Sequence, residues 1–163
     1  MENTLMQLNK GGKVKWIFAF LLLCVLGACT KDEITEDLLP DAPVYLQIDL
    51  NDARYNRLKN LGEYYEFTKK PTVTSYIGVG GILVVHTLSP MDPAYEYTAY
   101  DLYCTYEKNI RVEPQQGGIY AICPKCSSKY DISSGFGNCI SGPAKQLRRY
   151  RASAAGNTLV VTK

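Results

Sequence analysis

Four cysteines in the second half of this chain are its most reactive residues: Cys104, Cys123, Cys126 and Cys139. They run as Cys104-Thr105-Tyr106, sixteen residues, Cys123-Pro124-Lys125-Cys126, and then Cys139 just ahead of Ser141-Gly142-Pro143-Ala144. Thiolates are soft ligands for zinc, iron and iron–sulfur clusters, and a pair of thiols can equally close a disulfide or exchange one. A CxxC pair places two sulfurs on one short turn, within reach of a single ion. Lys125 would stabilise a thiolate beside it, or stand as a solvated loop lysine.

Other chemistry finds less support. His86 is the only histidine, so histidine-rich zinc sites are not available, and its place at the end of an apolar run points to a structural role. Gly78-Val79-Gly80-Gly81 lacks both the GxGxxG spacing and a following Lys-Ser/Thr, and a strand follows it. Nothing resembles the Gly-x-Ser-x-Gly of a nucleophile elbow, which sets hydrolase chemistry aside.

The elements that must position the cysteines read as strands. Val44, Leu46, Ile48 and Leu50 alternate with polar residues, the period of a strand buried on one face. Asn51-Asp52 can cap a short helical turn through Leu58, with Gly62 as its stop. Further strands are expected at 63–68, 82–85 and 95–103, the last delivering Cys104 to its end. Ile110–Glu113 and Ile119–Cys123 read as a hairpin around Pro114–Gly118, followed by a strand at 129–132. The chain closes with a hairpin, Leu147–Ser153 against Thr158–Val161, around Ala154–Asn157. Thirteen tyrosines against four phenylalanines favour pleated surfaces. With 163 residues and 46% hydrophobic content, one domain of eight or nine short strands is expected, an all-β antiparallel sandwich or barrel.

The first 28 residues read as an address. Lys10, Lys13 and Lys15 precede an apolar core at 16–26 that is short for a membrane span, and Leu26-Gly27-Ala28-Cys29 closes it. That ending resembles the bacterial lipobox, which implies cleavage before Cys29 and lipidation of Cys29 as the new first residue, with palmitate as an acyl group. Two or more acyl chains give stable anchoring. The expected organisation is a signal peptide over 1–28, a charged lipid-linked tether over 29–43 and a β domain over 44–163. The acidic run after Cys29 is similar to the export signal of outer-membrane lipoproteins exposed at the cell surface. Residues 1–28 hold three lysines and one glutamate, so their +2 accounts for the +2 of the whole chain and leaves the mature protein neutral. Charge therefore gives no case for nucleic-acid binding.

With these flanks taken together, the stretch resembles the Rieske iron–sulfur domain. That family carries Cys-x-His, about fifteen to seventeen residues, Cys-x-x-His, then Gly-Ser-x-Phe/Tyr-Asp and a Gly-Pro-Ala loop. The corresponding residues are Cys104-Thr105-Tyr106, Cys123–Cys126, Ser127-Ser128-Lys129-Tyr130-Asp131 and Gly142-Pro143-Ala144, with Leu147 and Tyr150 in a similar closing hairpin. The resemblance implies a Rieske-type fold, Cys104 and Cys123 as ligands, and an electron-transfer role with a redox partner. It also places Tyr106 and Cys126 where the two histidines would stand, so an ordinary Rieske cluster lacks its ligand set. Three readings stay open. Cys126 and Cys139 could complete a thiolate set for [2Fe–2S] or for one zinc or iron, and Cys123–Cys126 looks like the knuckle of zinc ribbons and rubredoxins; Tyr106 could add a hydrogen bond or an oxygen ligand, or pack over the loop. Alternatively, a cofactor-free interaction module could carry two disulfides, in keeping with an oxidising compartment. The last reading, an exchange-active dithiol, lacks the helix N-terminus that lowers a thiol pKa. The first two readings describe a binding or electron-transfer protein and not an enzyme by itself.

Overall fold

The structure is a computed structural model that describes residues 39–88 and 96–163, all within the compact unit Asp37–Lys163. The expected signal peptide, Cys29, most of the expected tether and Tyr95 lie outside the described residues.

The domain is all-β and antiparallel, as the sequence predicts. Its strands are β1 (Val44–Asp49), β2 (Tyr64–Phe67), β3 (Tyr76–Ile77), β4 (Ile82–His86), β5 (Tyr97–Asp101), β6 (Glu113–Pro114), β7 (Tyr120–Ile122), β8 (Lys129–Asp131), β9 (Cys139–Ser141), β10 (Arg149–Ala155) and β11 (Thr158–Thr162). They form a seven-stranded sheet, β2-β4-β5-β10-β11-β1-β3, and a four-stranded sheet, β6-β7-β8-β9. Among the described residues no helix is long and apolar enough to cross a membrane.

β1 alternates buried and exposed residues as expected, with Val44, Leu46 and Ile48 inward. β4 and β5 behave differently, because every residue in both is buried. Alternate side chains point to opposite faces. Ile82, Val84 and Ala99 therefore join one core with Leu46, Leu159 and Val161, while Leu83, Val85 and Tyr100 join a second with Cys104, Cys123 and Tyr130. A strand covered on both faces needs an unbroken apolar run, which is what Ile82–Val85 supplies. The cysteine loops thus rest on a shared wall.

Three pairings differ from expectation. Ile110–Val112 does not extend the β6–β7 hairpin but pairs back on the end of β5: Cys104 N–H donates to Ile110 O at 2.8 Å and Val112 N–H to Leu102 O at 2.8 Å. Asn109, at φ +59°, makes the left-handed turn that sends the chain back. The final hairpin has a two-residue turn, Gly156-Asn157, and β10 continues to Ala155 opposite Thr158. β3 and β9 were not anticipated, being two and three residues long with no period to read. After β1 the chain makes a 3-10 turn at Asn56–Lys59, with Asp52 O accepting the N–H groups of Tyr55 and Asn56 at 2.9 Å each and Gly62 just beyond.

Candidate metal centre

Three loops build the site. The first leaves β5 and carries Cys104. Its anchor is Asp101, a buried carboxylate at the end of β5. Oδ1 accepts the N–H of Tyr103 at 2.8 Å, and Oδ2 accepts the hydroxyl of Tyr150 in β10 at 2.6 Å. Past Cys104 the chain curls so that the N–H groups of Tyr106 and Glu107 both donate to Cys104 Sγ at 3.4 Å.

The second loop joins β7 to β8 and carries the CxxC pair. Ser127 N–H donates to Cys123 O and Cys123 N–H to Ser128 O, each at 2.9 Å, and Ser127 takes a left-handed φ of +57°. This compact turn brings Cys126 Sγ to 3.1 Å from Ser128 Oγ. From β8, the Tyr130 hydroxyl reaches 3.2 Å from Cys104 Sγ.

The Gly142-Pro143-Ala144 segment closes over both. Ala144 N–H donates to Ser128 Oγ at 3.2 Å, and Thr105 Oγ1 donates to Lys145 O at 2.7 Å. Gly142 has φ +98°, and a Cβ there would lie 2.6 Å from Ser128 Cα, so the approach requires glycine. Lys125 pairs with Glu107 at 2.6 Å, linking the first two loops at the surface. The sequence offered Lys125 as a thiolate partner; its nearest anion is a carboxylate instead.

The sulfurs of Cys104, Cys123 and Cys126 all lie within 4.8 Å of one another, and Cys104 and Cys126 are 3.7 Å apart. Cys104 and Cys123 are fully buried, whereas Cys126 is half-buried and marks the side of the set that opens to solvent. Burial pushes the Cys123 thiol up to about 11. Burial acts the same way on Cys126, but hydrogen bonds with Ser128, together with those to Cys123 and Cys104, oppose it and the net shift is downward. Unlike environments on adjacent thiols mean that the first proton leaves from one of them. A cation among the three would draw off the rest.

All four described cysteines are free thiols. Cys139 is not brought into the three-sulfur group: it stands on β9 opposite Tyr130, and its Sγ donates to Ser141 O at 3.2 Å. Tyr106 approaches Cys104 through its main chain, and its side chain is about half exposed (51%). His86 is buried and structural, as read from the sequence, with Nδ1 2.8 Å from Leu58 O and its ring stacked on Tyr97. Sequence reasoning missed Thr105 and Glu107 as loop ties. A hydroxyl and a carboxylate in a nine-residue turn carry no spacing signal, and their roles become visible only when the three loops meet.

The convergence of the two cysteine loops under the Gly-Pro-Ala segment agrees with the expected Rieske-like fold. No family model matches the chain, and no curated protein matches it. Among solved structures it is similar to the crystal structure of the cyanobacterial plasma membrane Rieske protein PetC3 from Synechocystis PCC 6803. The sequences are 21% identical, and the TM-score is 0.42 over 52% of this chain and 78% of that one.

Proposed function

We propose that this protein is a Rieske-like lipoprotein that holds a metal or iron–sulfur centre on Cys104, Cys123 and Cys126. The observation that carries the reading is the convergence of three sulfurs within 4.8 Å, two of them in a dry core. Zinc in such a set would tie the three loops together, and iron would add one-electron transfer to a redox partner. The residues around the sulfurs suit either role. The amides of Tyr106 and Glu107 point at the Cys104 sulfur, and the Gly142–Ala144 segment is tied to the CxxC turn through Ser128. The role is binding, not catalysis.

Placement at a membrane rests on the sequence. Cys29 ends a lipobox-like motif, and the acidic run behind it favours export to the outer face of a Gram-negative outer membrane. Replacing Cys29 with serine is expected to release the protein from the membrane fraction; unchanged partitioning would overturn the anchor.

The metal reading is tested by elemental analysis of protein purified without chelator. About one zinc or one to two irons per chain are expected, and Cys126→Ser should remove them. A visible absorption band assigns iron over zinc. A metal-free protein with no free thiols by mass spectrometry would sink this reading and leave a cofactor-free module. The 3.7 Å between Cys104 Sγ and Cys126 Sγ favours that pair for a bridge, since a shift of about 1.7 Å would bring them to bonding distance.

A further inference from the structure

We propose that the centre is mononuclear: one thiophilic divalent ion held by Cys104, Cys123 and Cys126, with its fourth position open to a small external donor. This rests on the metal reading above and narrows it. A Rieske cluster divides its four ligands two and two between separate irons, with cysteines on one and histidines on the other. Cys126 occupies the second histidine position of the motif and would have to bind the iron remote from Cys104. Instead its sulfur lies 3.7 Å from Cys104 Sγ. Bonds of about 2.3 Å to a single tetrahedral ion put two sulfurs about 3.8 Å apart. The third sulfur, Cys123, is within 4.8 Å of both. Three sulfurs this close match the span of one tetrahedral ion, not the two-and-two division of a two-iron core.

The fourth ligand does not come from the residues that the motif suggested. Cys139 is engaged with Ser141 O on β9, and Tyr106 turns its main chain, not its hydroxyl, to Cys104. The set is sealed on the Cys104 and Cys123 side and opens beside Cys126. Closed structural zinc sites use four protein ligands, whereas three protein ligands leave a position for a small donor. Binding is balanced as three thiols and one divalent ion giving a tris-thiolate of net charge −1 and three protons released to solvent. The Tyr106 and Glu107 amides supply donors to that charge. The fourth donor is then water or a low-molecular-weight thiol.

Cobalt(II) is the probe, added under reducing conditions to the full-length protein in detergent after metal removal. One cobalt per chain is expected in the parent and in Cys139→Ser, with equal thiolate-to-cobalt charge-transfer intensity, and Cys126→Ser is expected to lose the ion and that intensity. Added 2-mercaptoethanol should shift the visible cobalt bands as it enters the open position. Circular dichroism of both variants separates ligand loss from unfolding. Two irons with acid-labile sulfide in protein as purified would overturn the mononuclear site while leaving the metal reading intact. So would a loss of intensity in Cys139→Ser, or cobalt bands indifferent to the added thiol. Failure to bind cobalt, zinc or iron in any preparation would overturn both.

Discussion

At the scale of single residues, the site depends on contacts that tolerate little change. Tyr130 places its hydroxyl on Cys104 Sγ while its ring fills the second core. Tyr130→Phe keeps the ring and removes the polar contact, so a loss of about 1 kcal/mol is expected, read as a lower urea midpoint at unchanged slope. A change in slope would show that the ring packing had also been disturbed. Gly142 gives a stronger case because two costs add. Alanine there must hold φ near +98°, and its Cβ meets main-chain and side-chain atoms of Ser128 within 3.0 Å. Gly156 has a positive φ as well, +60°, but open space around it. Gly156→Ala should therefore cost about 1 kcal/mol from backbone strain alone, and Gly142→Ala clearly more, with weakened metal retention. Equal losses in the two variants would contradict the close approach of the Gly-Pro-Ala segment to the CxxC turn.

At the scale of elements, legibility followed the length of the pattern. β1 could be read because six alternating residues fix a period of two, and β4 because four apolar residues in a row need cover on both faces. β3 and β9 are too short to carry a period, and Ile110–Val112 has the composition of a hairpin arm while pairing elsewhere. For the site, the motif spacing points to Cys104, Cys123 and Cys126, which the structure brings together. It also offers Cys139 as a fourth ligand, which the three-sulfur group does not include, because its position depends on the irregular register between β8 and β9. The tie between β5 and β10 was likewise invisible, since Asp101 and Tyr150 are far apart in sequence. Yet Asp101 receives Tyr150 on one oxygen and the start of the Cys104 turn on the other. Tyr150→Phe removes a charge-assisted bond from a buried carboxylate, for which a loss of about 2 kcal/mol is expected in chemical denaturation. Because the same carboxylate orients the Cys104 turn, metal retention should fall as well. A variant as stable as the parent would mean that Asp101 finds an equal donor without it.

At the scale of the whole molecule, two cores share the β4–β5 wall, and each buries a tyrosine whose ionisation the fold opposes. Tyr100 sits in the core beneath the cysteines, where burial pushes its hydroxyl up to about 12. Tyr150 sits in the other, raised by burial and by its bond to the Asp101 carboxylate. In the unfolded chain both titrate near 10. Below that pH both states keep these two tyrosine protons, and the tyrosines' contribution to stability is fully present. Between about pH 10 and 12 the unfolded state releases the Tyr100 proton while the folded state retains it, so stability falls as pH rises. A gap of about two pH units corresponds to about 3 kcal/mol for Tyr100, with Tyr150 adding loss in the same direction. Urea midpoints across the range from about pH 9 to about pH 11.5 should therefore decline steadily, and Tyr100→Phe should flatten the decline by about one proton per molecule. That variant gives up its 3.3 Å bond to Ile132 O and starts from lower stability at neutral pH, yet it should converge on the parent as the medium becomes alkaline. Parallel declines in the two proteins would show that Tyr100 ionises as freely in the folded state as in the unfolded one, and that the second core is open to water beneath the cysteine loops.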